Sequence, residues 1–546
     1  MTDNHGGGLS VITLAPHATG AVNLSGGVAL VAIGTRGRSA VVLCCVSIVG
    51  LLSSGASASA SDAPRTLRVM SFNVWYGGDQ IAFGQVAEAI KAARADIVGI
   101  QEPDGNLRRI ADAVGFAYVD ERRYIISRYP LFDSGIGVKQ GKGRVPYSIN
   151  GQDAADVNAW ALIGAGEVVA VANTHLTSDP YGPEAVRDGA SVEKVLALED
   201  EVRVPEVRPL TTALAKIAKA NVPVFLTGDF NSPSYLDWTT AAVGTRPEIK
   251  YPVQWPVSKR VVDAGLRDSF RAIYDDPVAV PGLTWTAGRP YPYIPPNEFS
   301  DRIDYVYAGG AATATASEIV GEEGNPAVAI GLNPYPSDHR AVVSEFSVRP
   351  AAAPALITTD RPTVVAGRPV VVRFVVPNHG KWEVALVPRG ANVKKAISSY
   401  GTSAGPQDQA DRTSIKLATR GMTPAEYDAI LVSANGRTLA RHRFTVVAAN
   451  ARPTIRVAKR AIRSGASIRV RWRGAPGWRN DWVSVSKAGD PDVLNYIGYV
   501  YTGAHVNGSE TITADDLGKL KKGRYVVRLL RDDHYDVLAQ TSFSVR

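Results

Sequence analysis

The chain of 546 residues contains little cysteine and little histidine. Its two cysteines, Cys44 and Cys45, lie in one apolar run near the N-terminus, and no cysteine follows residue 60. Without that run the chain can form no disulfide and can use no cysteine nucleophile, so its stability must come from its hydrophobic core alone. Of the eight histidines, only His175 and His339 fall within residues 61–349.

Two common catalytic signatures are also missing. The chain has no P-loop ending in Gly-Lys-Ser/Thr, and no helix with the paired histidines of a zinc protease. Both absences exclude large classes of hydrolase. Apolar residues make up 45% of the chain and the mean hydropathy is -0.05, which is typical of soluble globular domains with a sizeable core.

The N-terminal segment has the layout of a secretory signal. An apolar run over 40–52 follows Arg36 and Arg38 and precedes small residues of the Ala-x-Ala type. We expect residues 1–60 to be a signal peptide region that is cleaved near Ala58 or Ala60. The chain would then be secreted, either free or associated with the cell surface. A retained membrane anchor is the alternative, although the apolar run is short for one.

Residues 61–349 alternate strand patterns with amphipathic helix patterns, which predicts an α/β domain. The strands are expected at 67–72, 97–101, 168–174, 224–226, 303–307 and 341–346, and the helices at 85–93, 107–114 and 210–219.

Beyond the linker at 349–354, short strand patterns separated by Gly, Asn and Pro predict all-β structure. The segment Val370–Phe374 resembles Ile468–Trp472, and further pairs recur at a spacing of 98–100 residues. We therefore predict two tandem β-sandwich modules of immunoglobulin-like type, at 350–449 and 450–546.

The charge of the chain, +8 in total, is unevenly distributed. Residues 61–349 hold 28 Lys and Arg against 36 Asp and Glu, whereas residues 350–546 hold 30 against 15. The basic modules could bind nucleic acid, anionic lipid or an anionic cell-wall polymer, and the alternative is a merely solvated β surface. A local cluster of arginines and tryptophans supports binding of a polyanion: Arg469, Arg471, Arg473 and Arg479, among Trp472, Trp478 and Trp482.

Six polar motifs stand at the expected strand boundaries of the α/β domain. They are Ser71-Phe72-Asn73-Val74-Trp75, Val98-Gly99-Ile100-Gln101-Glu102, Ala172-Asn173-Thr174-His175-Leu176, Gly228-Asp229-Phe230-Asn231, Arg302-Ile303-Asp304-Tyr305 and Ser337-Asp338-His339. Carboxylate and amide oxygens suit a hard cation such as Mg²⁺, and a histidine beside a carboxylate suits acid–base work. Hydrolysis of a phosphoester needs both functions.

In their order, these motifs resemble those of the endonuclease/exonuclease/phosphatase superfamily, over nearly all of residues 66–347. The resemblance implies a DNase I-like four-layer α/β sandwich and a metal-dependent phosphoester hydrolase. It further implies Mg²⁺ as the metal, with Mn²⁺ or Ca²⁺ as alternatives. By residue, it implies that Asn73 and Glu102 bind the metal and that Asp304 contributes.

The resemblance also assigns catalytic roles. It implies that His339 contacts the phosphate or activates water, with an Asp orienting it, and Asp338 stands beside it in the sequence. It implies that Asp229 activates water or serves the leaving group, that Asn231 positions the phosphate and that His175 contacts it. The alternatives are a solvated strand end for Glu102, an Asx turn at Asp229 and a structural role for His175.

Two stretches are expected to shape specificity. The segment 179–189 after His175 is long and could form a wall over the site. The tryptophans Trp238, Trp255 and Trp285 could stack on a base or sugar or face a lipid, or they could be ordinary packing.

These features together predict a secreted, monomeric phosphodiesterase that acts on nucleic acid or on a phospholipid head group, like a nuclease or a phospholipase C or sphingomyelinase. The alternative is a non-catalytic protein that binds a polyanion or a cell surface on a phosphatase fold.

Overall fold

The computed structural model describes residues 63–133, 148–149, 152–153, 157–287, 300–376, 381–401, 414–478, 480–503 and 505–546. The predicted signal region, with Cys44, Cys45 and both expected cleavage points, lies outside the described residues, as does Arg479. Among the described residues, no helix has the length and apolar character needed to cross a membrane.

The N-terminal half is built from two central sheets. Its strands are β1 (Arg65–Asn73), β2 (Ile97–Gln101), β3 (Tyr118–Asp120), β4 (Ile125–Ser127), β5 (Leu131–Asp133), β6 (Ser148–Ile149), β7 (Gln152–Asp153), β8 (Ala159–Gly164), β9 (Glu167–His175), β10 (Val224–Asp229), β11 (Leu266–Asp268), β12 (Asp304–Gly309), β13 (Ala312–Glu322), β14 (Ile330–Leu332), β15 (Ala341–Val348) and β16 (Ala351–Ala352). The first sheet has the order β14-β13-β15-β1-β2-β4-β3. The second has the order β11-β12-β10-β9-β8-β5, with β16 paired to β9.

Helices cover the outer faces of these sheets. They are α1 (Phe83–Ala92), α2 (Leu107–Val114), α3 (Gly182–Arg187), α4 (Val192–Glu201), α5 (Arg203–Lys219), α6 (Pro256–Asp263) and α7 (Ser269–Ile273), with short 3-10 turns at Tyr76–Gly78 and Thr240–Ala242. One apolar cluster lies between α1, α2 and the first sheet, a second between the two sheets, and a third between the second sheet and α5 and α6. This helix–sheet–sheet–helix arrangement confirms the predicted four-layer DNase I-like sandwich.

The predicted elements of this half are all present, and most differ only at their ends. The largest difference is α5, which begins at Arg203 instead of residue 210 and continues through Pro209. Its first turns are helical because Val204 and Val207 are buried in the third apolar cluster, which outweighs the local preference of proline to end a helix.

The C-terminal half repeats one arrangement of strands twice. Its elements are β17 (Leu356–Thr359), β18 (Thr363–Val365), β19 (Val370–Val375), β20 (Trp382–Pro388), β21 (Ser398–Gly401), β22 (Ser414–Leu417), β23 (Ala425–Ser433), β24 (Thr438–Val447), β25 (Thr454–Val457), β26 (Ala461–Ile462), β27 (Ile468–Arg473), β28 (Trp482–Lys487), β29 (Tyr496–Tyr501), β30 (Gly508–Ile512), α8 (Ala514–Leu517), β31 (Gly523–Leu530) and β32 (Val537–Val545), with a 3-10 turn at Val393–Lys395.

In each repeat a three-stranded sheet faces a five-stranded one. The orders are β17-β19-β22 and β18-β24-β23-β20-β21 in the first, and β25-β27-β30 and β26-β32-β31-β28-β29 in the second. We call the two repeats module 1 and module 2. The matching order agrees with the predicted tandem β-rich repeats. The immunoglobulin-like type and the residue boundaries of the modules stay predictions.

Module 1 packs against the α/β half through an apolar contact. Leu356 and Val375 of its three-stranded sheet join Phe132, Leu162 and Val168 of the second central sheet in one buried cluster. The described residues from 63 onward form one compact unit.

Candidate active site

The polar motifs converge because strand pairing brings their ends to one edge of the two central sheets. In the first sheet, β1 and β2 run parallel and Asn73 pairs with Gln101, the neighbour of Glu102. In the second sheet, Asp229 pairs with His175 on one side and with Asp304 on the other. The start of β15 joins them, since Ser337 Oγ donates to the backbone oxygen of Asn73 at 2.7 Å.

The two sheets approach closely beneath this edge. A Cβ atom on Gly99 would lie 1.9 Å from Thr227 Oγ1 and 2.5 Å from Asn173 Oδ1, so only glycine fits there. Gln101 Nε2 donates to Asn173 Oδ1 at 2.6 Å, and Thr227 Oγ1 lies 3.0 Å from the same oxygen. This buried network ties the first sheet to the second and fixes the distance between their polar ends.

Asn73 connects the carboxylates of the two sheets. Its Nδ2 atom donates to Glu102 Oε1 and to Asp229 Oδ2, each at 3.0 Å, and its Oδ1 accepts from the backbone N–H of Trp75. Glu102 Oε2 also accepts from the backbone N–H of Tyr76 at 3.0 Å. The predicted metal ligands Asn73 and Glu102 are therefore in direct contact.

His339 lies between two buried carboxylates. Its Nδ1 atom is 2.9 Å from Asp304 Oδ2, and its Nε2 atom is 3.6 Å from Asp229 Oδ2. The three groups are all buried, and one ligand-type atom from each lies within 4.8 Å of the others. Asp304, and not the adjacent Asp338, is thus the carboxylate that orients the imidazole. Trp285 packs on the same ring at 4.6 Å between centroids.

The charges of this cluster shift the pKa values of its members. Burial alone would lower the pKa of His339, but Asp304 and Asp229 outweigh it and raise that pKa well above its ordinary value. Burial, together with the charges of Glu102 and Asp229, raises the pKa of Asp338 to about 7. A raised pKa favours the imidazolium form of His339, which can donate a hydrogen bond or a proton.

His175 and Asn231 complete the rim of the site. His175 Nε2 lies 3.4 Å from Asp229 Oδ2 and 4.0 Å from Glu102 Oε1, and 29% of its side chain is exposed. Asn231 is held in place by its Nδ2, which donates to the backbone oxygen of Leu176 at 2.9 Å, and its backbone N–H donates to Asp229. The structure thus brings together all eight predicted site residues: Asn73, Glu102, His175, Asp229, Asn231, Asp304, Asp338 and His339.

The donor set fits a hard divalent cation. Asp304 Oδ1 is buried without a hydrogen-bond partner in the described part of the chain, and a buried carboxylate oxygen requires a donor or a cation. Glu102 and Asn73 add a carboxylate and an amide oxygen at the neighbouring strand ends. Oxygen ligands of this kind are those that Mg²⁺ and Ca²⁺ prefer.

The segment after His175 is anchored by a buried ion pair that the sequence did not reveal. Arg203 Nη1 lies 2.7 Å from Glu199 Oε1, and both side chains are fully buried. The same guanidinium donates to the backbone oxygens of Thr177, Ser178 and Pro180. These contacts fix the start of the predicted wall at 179–189, in which α3 lies.

The three tryptophans considered above separate into two groups. Trp238 and Trp255 are fully buried and pack edge-to-face at 5.0 Å, so they are core residues. Trp285 is half-buried and contacts His339, so it is the tryptophan placed at the site.

Module 2 also reaches the site, although no local pattern in the sequence indicates this. Tyr124 Oη donates to Asp532 Oδ1, and the backbone N–H of Gly105 donates to Asp532 Oδ2 at 3.2 Å. Gly105 is three residues from Glu102. We call the segment Arg531–Asp536 the module 2 loop. In this loop, burial raises the pKa of Asp533 to about 7, and the nearby ring of His175 opposes this rise.

Comparison with known proteins agrees with this geometry. Residues 70–339 match the model of the Endonuclease/Exonuclease/phosphatase family. An uncharacterized protein of Caenorhabditis elegans is 28% identical over 297 residues, covering 52% of this chain and 91% of its own length.

Two solved structures are also similar. An endonuclease/exonuclease/phosphatase from Beutenbergia cavernae shares 19% identity at a TM-score of 0.31, covering 70% of this chain and all of its own. A mannosyl-6-phosphatase from Bacteroides thetaiotaomicron shares 17% sequence identity at a TM-score of 0.28, and the match covers 51% of this chain and 99% of its own. By the family match and the motifs that converge at the site, residues 70–339 belong to the endonuclease/exonuclease/phosphatase family, and the chain is a metal-dependent phosphoester hydrolase.

Proposed function

We propose that this chain is an exported Mg²⁺-dependent phosphodiesterase that cleaves an extracellular phosphoester. The observation that carries the proposal is the buried cluster of Asp229, His339 and Asp304 beside the contact between Asn73 and Glu102. It places a cationic donor, a carboxylate acceptor and oxygen ligands for a hard cation at one sheet edge.

The metal is assigned to Glu102 and Asn73, with Asp304 contributing. Glu102 supplies a carboxylate. Asn73 Oδ1 accepts one hydrogen bond, from the N–H of Trp75, and keeps a second lone pair for a metal ion. Asp304 Oδ1 accepts no hydrogen bond from the described residues and is therefore also available as a ligand. When bound there, Mg²⁺ supplies neutralisation of the charge on the phosphoryl oxygens.

The side chains perform the remaining steps. Protonated His339 donates a hydrogen bond from Nε2 to a phosphoryl oxygen, and Asp304 holds the ring in that orientation through Nδ1. Asp229 accepts the proton of the attacking water as the bond from phosphorus to the leaving oxygen breaks, and the leaving oxygen takes its proton from solvent. His175 and the second amide hydrogen of Asn231 fix the phosphate from the rim.

The charge of the α/β half bears on the substrate. This half holds 28 basic and 36 acidic residues over 61–349, so it has no excess of positive charge with which to bind duplex DNA. Export would also separate the enzyme from DNA repair and from cytosolic phosphoinositides. A scavenging nuclease and a phospholipase C-like enzyme are the two versions of the proposal.

A substrate panel tests the proposal. The full chain is assayed with Mg²⁺ on single-stranded DNA, RNA, sphingomyelin vesicles, bis-p-nitrophenyl phosphate and p-nitrophenyl phosphate. Turnover of diesters supports the proposal, and the preferred diester separates its two versions. Turnover of the monoester alone would overturn the diesterase assignment.

Export is tested separately. The proposal rests on the basic, apolar and small-residue segments of 36–60. We expect the chain in the culture medium or at the cell surface of its host, with an N-terminus near residue 59 or 61. An intact N-terminus in the cytoplasm would overturn it.

A further inference from the structure

One exposed sheet face of module 2 is lined with arginine. Along β27 the side chains alternate, with Ile468, Val470 and Trp472 buried and the arginines between them exposed. We define the arginine face as Arg469, Arg471 and Arg473 of β27 together with Arg456 of β25, which stands directly opposite Arg471. All four side chains are exposed.

The arginines of this face lack ion-pair partners in the described part of the chain. Among the described residues, none of the four arginines forms an ion pair, and the one hydrogen bond of their side chains runs from Arg469 to Ser509 Oγ at 3.3 Å. Like charges directly opposite on neighbouring strands destabilise a sheet. Arg456 beside Arg471 is therefore unfavourable for folding, and an anionic ligand would relieve it.

Module 1 uses the equivalent face differently. Val371 and Val375 occupy the positions of Arg469 and Arg473, and Thr358 that of Arg456. There the face is covered, because Val375 packs against the α/β half and the guanidinium of Arg373 lies 5.4 Å from the ring of Tyr118. In module 1 this face is therefore covered by the α/β half. In module 2 the same face is cationic, and no described domain covers it.

We propose that the arginine face binds a linear polymer with phosphodiester links and no aromatic base, of the poly(polyol phosphate) type. Side chains two residues apart on a strand stand about 6.7 Å from one another. Arg469, Arg471 and Arg473 thus form a straight row of guanidinium groups that can contact successive phosphates, with Ser509 and Thr511 beside it as partners for hydroxyl groups.

Two other polyanions fit the face less well. A single-stranded nucleic acid is held by exposed aromatic rings that stack on its bases, but Trp472 is only 2% exposed and its Nε1 donates to the backbone oxygen of His505. A membrane surface favours exposed apolar anchors beside the charges, and none of the exposed large apolar side chains of the described chain lies on β25, β27 or β30.

The test measures binding of fluorescently labelled poly(glycerol phosphate) to the full chain in EDTA, so that the result does not depend on hydrolysis. The variant is the triple Arg469→Thr, Arg471→Thr, Arg473→Thr. The matched control removes three charges from exposed positions of module 1, as Lys394→Thr, Lys395→Thr, Arg437→Thr. A third protein with lysine at the three β27 positions keeps the charge, and circular dichroism checks that every variant folds.

We expect the triple β27 variant to bind at least about tenfold more weakly. The negative slope of log affinity against log salt should become shallower by about 2, as for three fewer phosphate contacts. The control and the lysine variant should keep most of the affinity. Equal affinity of the folded threonine variant and the unchanged chain would overturn the proposal. Tighter binding of oligo-dT, or of phosphatidylglycerol vesicles, at equal phosphate concentration would overturn the assigned ligand.

Discussion

The Nδ1 atom of His339 lies 2.9 Å from Oδ2 of Asp304, although the two residues are 35 positions apart in the chain. His339 lies two residues before β15 of the first sheet, and Asp304 is the first residue of β12 in the second sheet. The contact therefore depends on the packing of one sheet on the other. It orients the imidazole, and with Asp229 it raises the pKa of His339 in spite of the burial of the ring.

Substitution of Asp304 should show that the pKa of His339 depends on this contact. In Asp304→Asn the ring loses the largest of the charges that raise the pKa of His339, so that pKa falls, although Asp229 and Asp338 still raise it. Since the protonated ring is the active form, activity is lost as pH rises through this pKa, and the loss should move to lower pH. We expect kcat to fall about 10²–10⁴-fold at neutral pH.

The measurement is a pH profile of kcat/KM on bis-p-nitrophenyl phosphate. The control is Asp263→Asn, which removes an exposed carboxylate paired with Lys259. An alkaline limb at the same pH in Asp304→Asn and in the unchanged enzyme would contradict the role given to this contact.

Glu102 should set the affinity for the metal. In Glu102→Gln the side chain keeps its shape and can still accept from Tyr76 N–H, but it loses the negative charge. We expect the Mg²⁺ concentration for half-maximal activity to rise at least about tenfold, and calorimetry with Mn²⁺ to show the same loss. Glu88→Gln, on the exposed side of α1, is the control. An unchanged metal midpoint would remove Glu102 from the metal site.

Module 2 should stabilise the loop that carries Glu102. In Asp532→Ala, the hydroxyl of Tyr124 and the N–H of Gly105 lose their acceptor. An unsatisfied buried donor costs about 1–3 kcal/mol, so the thermal midpoint should fall, and kcat should fall with it. Asp536→Ala in the same loop is exposed and is the control. A variant with both values unchanged would show that module 2 does not support the site.

The contact between the α/β half and module 1 should be sensitive to acid. Asp133 is buried, which would raise its pKa, but Arg123 at 2.6 Å and a hydrogen bond with His442 hold that pKa well below the ordinary value. A carboxyl with a depressed folded pKa stabilises the protein above its unfolded pKa of about 3.9, and this stability is lost as pH falls through the folded value.

Urea unfolding at pH 7 and at pH 3 measures this effect. Asp133→Asn should lose about 1.5–3 kcal/mol of unfolding free energy at pH 7, because the buried Arg123 loses one of its two carboxylate partners among the described residues and keeps Asp120. The difference between the variant and the unchanged chain should shrink at pH 3. A difference that stays the same at both pH values would show that Asp133 is not the titrating group.

The predicted site residues lie together in the structure because each follows a local pattern in the sequence. An apolar strand pattern ends at Asn73, at Gln101 before Glu102 and at Asp229, and strand ends gather at one edge of a sandwich. The sequence could not show which Asp orients His339. Neighbouring residues on an extended segment point apart, so Asp338 is close in sequence while Asp304 makes the contact.

Contacts between distant parts of the chain carried no local signal. Asp532 lies more than 400 residues from Tyr124, and its role depends on how module 2 lies against the α/β half. The tryptophans show the same limit, because Trp238, Trp255 and Trp285 occupy one long segment and only packing separates the buried pair from the ring beside His339.

The most direct test of the catalytic centre is Mg²⁺-dependent hydrolysis of bis-p-nitrophenyl phosphate by residues 61–546, beside Glu102→Ala and His339→Ala. We predict a metal-dependent rate that falls by at least about two orders of magnitude in each variant. A chain that is inert with Mg²⁺, Mn²⁺ and Ca²⁺, or variants that stay as active as the unchanged chain, would contradict the assignment of this site.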